Sequence, residues 1–422
     1  MIDDMISPKK SGPARPVRTK IPTEPSQAKI EDRPIEAAYI DPTEAKSAQE
    51  PEDITEELDN TKPKSKRHPH LWPVGWSKKK KRLFTGLLVL LALALIAGGV
   101  FWYRQHHHKK AAVIVKPAVA VVAKPTTEAS RLTGIQVDPA LNQRSVTGVM
   151  IENSPDARPQ SGLLDAGVVY EAIAEGGITR FLALFEETSP AYVGPIRSAR
   201  PYYLDWLLPY DANYAHVGGS AEALQQIKDL KIKDLEQFVN GGSYDRVTSR
   251  YAPHNVYTSI DRLYTLAQSK GYNSSNFTGF ARKPKETPAA TPTVKTIDLS
   301  ISGVLYNPHY DYDAATNTYK RSEGGKPHID EKSGTQLAPK VVIALVVTNS
   351  LEADGIHNVY GTTGSGTMYV FQDGIYTQGT WTKTSQSSQL TFADSNGQVL
   401  KLNPGQTWIS AVSSTSAVVY KP

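Results

Sequence analysis

VVYEAIAEGGITRFLALFEE, residues Val168–Glu187, reads as two apolar strand runs folded back on each other about Gly176-Gly177. Paired glycines supply the positive φ angles that a tight hairpin turn needs. With a two-residue loop, Glu175 faces Ile178, Ile173 faces Arg180 and Glu171 faces Leu182. Alternation along each strand then places Glu171, Glu175 and Arg180 on one face, and Tyr170, Ala172, Ala174, Phe181 and Phe185 on the other. The second face is core. The first is half polar, which suits a cleft wall or an exposed sheet face with cross-strand pairs. Glu171 and Glu175 lie about 13 Å apart along such a strand, beyond the roughly 5–9.5 Å of a glycosidase acid/base pair.

The hairpin demands antiparallel pairing, while its surroundings interleave strands and helices. SVTGVMIEN is a strand by its β-branched content, and SPDARPQSGLLDAG a loop. AYVG begins another strand and SARPYYLDWLLPY is a helix. DANYAHV is a strand that runs into Gly218-Gly219, SAEALQQIKDL a helix with Ser220 as N-cap, and IDRLYTLAQSKGY a helix closed by Gly271. Residues 131–282 are therefore expected to form an α/β domain on a mixed sheet. Residues 283–296, with Pro284, Pro288 and Pro292, read as a linker. Residues 297–422 carry turn signals at Asp373-Gly374, Asn396-Gly397 and Pro404-Gly405 between alternating runs, and are expected to be β-rich.

Upstream, LFTGLLVLLALALIAGGVFWY (residues 83–103) runs for 21 residues without charge or proline. A helix of that length spans roughly 30 Å, the hydrocarbon thickness of a bilayer. Trp102 and Tyr103 stand where amphipathic rings favour the headgroup level. A single transmembrane helix is expected, uncleaved because more than eighty residues precede it. Lys62 to Arg82 holds nine Lys/Arg and no acid, against five Lys/Arg from Arg104 to Lys124. The richer side stays cytoplasmic, so residues 104–422 are expected outside the cell membrane. Residues 1–82, with eleven prolines and few aromatics, read as a disordered cytoplasmic tail. Its acidic block Glu31–Asp59 has a net charge of −9, and its basic block Lys62–Arg82 is suited to anionic lipid. Aromatics do not interleave with these charges, so nucleic acid is not an expected partner. Residues 104–130 read as an extended linker, with His106, His107 and His108 a polar collar at the membrane exit.

The chain has no cysteine, which excludes a disulfide framework, a thiolate zinc site, a cysteine nucleophile and a lipidated cysteine. Residues 131–282 hold ten Arg and four Lys, whereas residues 298–422 hold one Arg, Arg321, and seven Lys. Arginine is preferred where a planar fork grips carboxylate or phosphate. In GPIRSARPY, Arg197 and Arg200 flank a helix start, where free amides favour an anion. AHVGGSAEAL repeats the pattern, with His216 at a strand end before Gly218, Gly219 and Ser220. YDRVTSRYAPHNVYTS crowds Asp245, Arg246, Arg250, His254 and Asn255 into one loop, an acid/base site or a hydrogen-bonded pin. No His-x-x-x-His or Glu-x-x-His pair supports a metal, no Gly-x-Ser-x-Gly elbow marks a serine nucleophile, and no cofactor is expected. HYDYDAATNTYKR lacks the glycine and terminal glutamate of an EF-hand and reads as a hairpin with a polar turn.

The ordered series GVMIENSPDARPQSGL, VVYEAIAEGGITRFLALF, VGPIRSARPYYLDW, AHVGGSAEAL and APHNVY resembles the bacterial YerB-like lipoprotein family, the domain of unknown function 3048 family. HYDYDAATNTYKR…GKPHID and GSGTMYVFQDGIYTQGTW…LNPGQTW are similar to its C-terminal domain. The resemblance covers about Arg131 to Val412 and implies two envelope domains from a bacterium. It carries no established catalytic residues. Members of that family are typically anchored through a lipidated cysteine, so the resemblance implies that the helix at residues 83–103 replaces that anchor.

The expected protein is a single-pass envelope protein whose outer domain binds an anionic or sugar-polymer ligand. Glu171, Glu175, Arg180, Arg197, Arg200, His216, Gly218, Gly219, Ser220, Arg246 and His254 are the candidate ligand-binding residues. The alternatives are an envelope-polymer hydrolase or transferase, with His254 or Glu171 as acid/base, and a non-catalytic scaffold whose polar residues do not converge.

Overall fold

The computed structural model describes Gly75, residues 77–107 and residues 126–422. The rest of the expected tail and residues 108–125 of the expected linker lie outside the described residues. The apolar stretch forms one helix, Lys78–His107, of 30 residues. It is long and apolar enough to cross a membrane, and none of its most apolar window is buried within the protein. The chain divides into two compact units, residues 1–115 and 116–422.

The second unit is mostly β, with mixed sheets and a few helices. Its largest sheet has ten strands, and the segments on either side of residues 283–296 both build it. Thr407–Val412 runs parallel to Val341–Val346 on one side and to Val168–Ile173 on the other. Beyond Val341–Val346 lie Gly364–Gln372, Ile375–Lys383 and Thr391–Asp394, each antiparallel to the last. Beyond Val168–Ile173 lie Thr179–Phe185 and Thr147–Glu152, antiparallel, and then Asn213–Ala215 and Lys233–Asp234, parallel. A second sheet of five strands runs antiparallel from Lys326–Pro327 to Val418–Lys421. Within it Pro308–Asp313 and Thr318–Glu323 form the expected hairpin with a polar turn. Residues 283–296 are tied down: Lys283 Nζ meets Asp373 Oδ2 at 2.6 Å, and the amides of Thr293 and Val294 donate to Gly374 O.

Strand alternation divides the core. Val341, Ile343 and Leu345 join Val168, Tyr170 and Ala172 on one side of the large sheet, against the aromatic helix Pro201–Leu207. Val342 and Ala344 point the other way, onto Tyr310, Tyr319 and Ile297 of the five-stranded sheet.

The hairpin shows where the sequence reading slips. Its tip is as expected, with Gly176 at φ 57°, Gly177 at φ 78° and Ile178 N donating to Glu175 O. Ile178 O, however, accepts from Ala174 N rather than from Glu175 N. Ala174 and Glu175 thus bulge opposite one residue, so Glu171 pairs with Phe181 and Ala172 with Arg180. A one-residue slip turns every side chain to the other face. Glu171 and Arg180 therefore lie on opposite sides of the sheet, and Glu171 is fully buried.

Glu171 is matched by Arg321, the lone arginine of the last segment, which is equally buried. Arg321 Nη2 donates to Glu171 Oε1 and to Glu323 Oε1, each at 3.0 Å. Trp408 Nε1 at 2.9 Å and Ser410 Oγ at 3.1 Å serve Glu171 Oε2. Arg321 Nε donates to His328 Nδ1, so the imidazole carries its proton on Nε2, 2.9 Å from Gln160 Oε1. Burial and the adjacent Arg321 hold the His328 pKa well below its usual value. The guanidinium lies 4.5 Å over the Trp408 ring. Removing one member of such a cluster strands the others. Arg321→Met is expected to lower stability by about 3–5 kcal/mol, and Arg321→Met/Glu171→Gln by less than the sum of the two single changes. Urea unfolding followed by tryptophan fluorescence measures both, and additive losses would show the pair to be uncoupled.

Candidate functional site

The strand Thr147–Glu152 ends on a carboxylate that gathers three partners. Glu152 Oε1 lies 3.2 Å from Arg197 Nε and accepts from Ser154 Oγ at 3.0 Å. Glu152 Oε2 lies 2.9 Å from His254 Nδ1. His254 is carried by the loop that links Asp245–Arg246 to Val256–Tyr257, and Ile196 pairs with Ile151 to bring Arg197 alongside. Burial lowers the Arg197 pKa, and Glu152 opposes that shift.

With Nδ1 occupied by Glu152, His254 turns Nε2 towards Asp156, whose Oδ2 lies 4.0 Å away. Both residues line an open cleft of about 550 Å³ with Arg158, Arg250, Tyr251 and Glu331. Arg250 spans this region, donating to Asp156 O at 2.7 Å and Pro159 O at 2.8 Å. Tyr251, which also lines the cleft, is 93% exposed. A histidine whose Nδ1 is fixed by a carboxylate presents Nε2 as an acid/base. Ser154 Oγ is 3.3 Å from Nδ1, the nitrogen Glu152 already holds, so it does not stand where a triad nucleophile stands.

The other expected site residues are placed elsewhere. Glu175 forms ion pairs with Arg180, at 2.6 Å, and with Arg200. Burial lowers the pKa of both arginines, and Arg180 also donates to Ser198 O. His216 is fully buried, with Nδ1 2.8 Å from Gly218 O and Nε2 3.1 Å from Asp234 Oδ1. The helix start at Gly218-Gly219-Ser220 is occupied by the chain itself. Gly218 N, at φ 59°, donates to Glu236 Oε1, and Gly219 forms a bridge with Ala199. Ser220 caps Ala221–Asp229 through Ala223 N, as expected from its place in the sequence. Arg246 is exposed and bonds Asn255 Oδ1 and Gln237 Oε1. Of the eleven candidates, only Arg197 and His254 share Glu152, and only His254 lines the cleft.

Residues 132–273 match the family model described as "Protein of unknown function (DUF3048) N-terminal domain", and residues 297–409 match that of its C-terminal domain. The chain belongs to this family. It is 31% identical over 294 residues to the protein named "Putative lipoprotein YerB" of Bacillus subtilis (strain 168), across 68% of this chain and 86% of that protein. It is similar to the crystal structure of the YerB protein from Bacillus subtilis, with a TM-score of 0.63 at 28% identity. That likeness covers 69% of this chain and 99% of the other.

Glu152 is one tie of the His254 loop to the sheet, beside the hydrogen bonds of Arg250 to Asp156 O and Pro159 O. Losing a charged hydrogen bond of about 1.5–3 kcal/mol should make the loop open at least about tenfold more often. Trypsin cleavage after Arg250 is therefore expected to accelerate by that factor in Glu152→Ala while the rates at other sites are unchanged. Peptide mapping by mass spectrometry reads this, and an unchanged rate at Arg250 would remove Glu152 from that role.

Proposed function

We propose that the protein is held in the cell membrane by Lys78–His107 and binds a hydroxyl-rich, anionic envelope polymer in the cleft beside His254. The observation that carries this reading is the cleft lining. Arg158, Arg250, His254, Asp156 and Glu331 line about 550 Å³ together with the exposed Tyr251, Arg250 standing 3.7 Å from Glu331 and His254 4.0 Å from Asp156. Paired cations and carboxylates supply donors and acceptors for hydroxyls and phosphates. A flat aromatic ring suits the C–H face of a sugar. The YerB relative's name as a lipoprotein supports a membrane-held role, and the sequence has no cysteine to carry a lipid. The nine Lys/Arg of Lys62–Arg82 favour a cytoplasmic amino end, with residues 104–422 outside and the basic block against anionic lipid.

The full chain in lipid nanodiscs is expected to bind teichoic-acid or peptidoglycan fragments saturably, and more weakly as salt rises. Calorimetry tests this, and no salt-sensitive binding to any such fragment counts against the cleft. Protease added to cells stripped of their wall is expected to digest the chain beyond Tyr103 and spare the amino-terminal tail. The reverse pattern overturns the orientation.

A second reading is favoured by one feature, the open Nε2 of a carboxylate-held His254. In that reading the protein is a hydrolase or transferase of the same polymer, with His254 as acid/base. Mass spectrometry of fragments incubated with wild type and His254→Ala separates the two readings. Product that depends on His254 marks an enzyme.

A further inference from the structure

We propose that Arg197 extends the His254 cleft into a two-point site for a polymer repeat in which an oxyanion, phosphate or carboxylate, stands next to a free hydroxyl. The proposal rests on the anionic-polymer reading above. Arg197 takes the oxyanion, and His254 Nε2 accepts from the hydroxyl.

At this end of the sheet three guanidiniums stand on two carboxylates. Glu175 pairs with both Arg180 and Arg200. Glu152, opposite Arg180 in the strand register, pairs with Arg197. Burial lowers the Arg197 pKa, Glu152 opposes that shift and Arg180 adds to it. The side chains of Arg180 and Arg200 are 5% and 10% exposed, whereas that of Arg197 is 24% exposed. Only Nε of Arg197 turns to Glu152. Its Nη1 and Nη2 are neither shut off from solvent nor hydrogen-bonded among the described residues. A free fork edge of this kind grips the paired oxygens of a phosphate or carboxylate. Such an anion also answers the unmatched positive charge.

His254 asks for a different group. A carboxylate at Nδ1 keeps the imidazole proton there, so Nε2 of the neutral ring is an acceptor. Asp156 Oδ2, 4.0 Å from Nε2, is a second acceptor. Two acceptors disfavour an anionic oxygen and call for an O–H. Glu152 sets the spacing between the two points. Its Oε1 lies 3.2 Å from Arg197 Nε and its Oε2 2.9 Å from His254 Nδ1, so the width of one carboxylate separates the two contacts. Neighbouring groups of a single repeat span that width. An anion without a hydroxyl fills the fork and leaves both acceptors unanswered, and a neutral polyol does the reverse.

Calorimetry on the full chain in nanodiscs tests the proposal with trimers of glycerol phosphate and 1,3-propanediol phosphate, which differ only in the hydroxyl, and with trigalacturonate and maltotriose. The glycerol-phosphate trimer or trigalacturonate is expected to bind saturably, and the tighter of the two names the source of the oxyanion. That trimer should bind at least about threefold more tightly than the propanediol-phosphate trimer, and about tenfold or more above maltotriose. Arg197→Lys keeps the charge without the fork and should weaken it about tenfold. Arg197→Gln replaces that variant if it does not fold. His254→Ala should weaken the hydroxylated trimer and leave the propanediol-phosphate trimer unchanged, whereas a merely structural histidine would weaken both alike. Equal binding with and without the hydroxyl overturns the proposal, as does wild-type affinity in the Arg197 variant or an equal loss for both trimers in His254→Ala. Those results, with salt sensitivity intact, leave the cleft reading standing. No salt-sensitive binding to any charged trimer removes the cleft reading and this proposal with it.

Discussion

One buried arginine sets the terms for the second unit. Arg321 enters from the five-stranded sheet and ends among Phe181, Tyr310 and Trp408, where water does not reach it. A guanidinium there is tolerable only with its charge answered at close range. Glu171, from the large sheet, and Glu323, two residues along its own strand, do so. His328 and Gln160 extend the same chain of hydrogen bonds to the loop after Thr147–Glu152. Two carboxylates around one cation also have a consequence for protonation. Burial raises the Glu323 pKa, and Arg321 only partly counters it. Ionising Glu323 therefore costs more in the folded than in the unfolded chain, although its charge answers Arg321. Its contribution to stability is fully present below the unfolded carboxyl range and is lost as pH rises through the raised folded value.

The strands of the hairpin were legible, and so was its glycine tip, because both rest on local preferences. Its register was not. The bulge at Ala174–Glu175 depends on what the strand meets: Asn358 Nδ2 donates to Ala174 O, and Glu175 forms a bridge with His357. Both partners lie more than 180 residues further along. The placement of Glu171 could not be read from its own strand for the same reason, since its partner is Arg321. Thr407–Val412 between Val341–Val346 and Val168–Ile173 is equally non-local. Apolar alternation marks a strand but does not name its neighbours.

The candidate site was legible in part. His254 and Arg197 stood out by residue type and by crowding, and they share Glu152. Glu152 itself was hidden near the end of a run read only as a strand, and Ser154, Asp156 and Arg158 in the loop that follows it. A strand that ends on an acid before Ser-Pro-Asp is the signal that was present. The glycine-rich helix start misled for a physical reason. A helix amino end attracts any acceptor, and here the chain supplies its own, Glu236 and Ser220.

The position of Thr407–Val412 also bears on how the chain is made. Until that segment leaves the ribosome, Val168–Ile173 and Val341–Val346 each have an unpaired edge rich in valine and isoleucine. Synthesis at about 5–20 residues per second leaves the first of these edges open for tens of seconds. Open apolar edges of this kind recruit other strands. The two halves of the sheet therefore stay separate until the last segments of the chain close it.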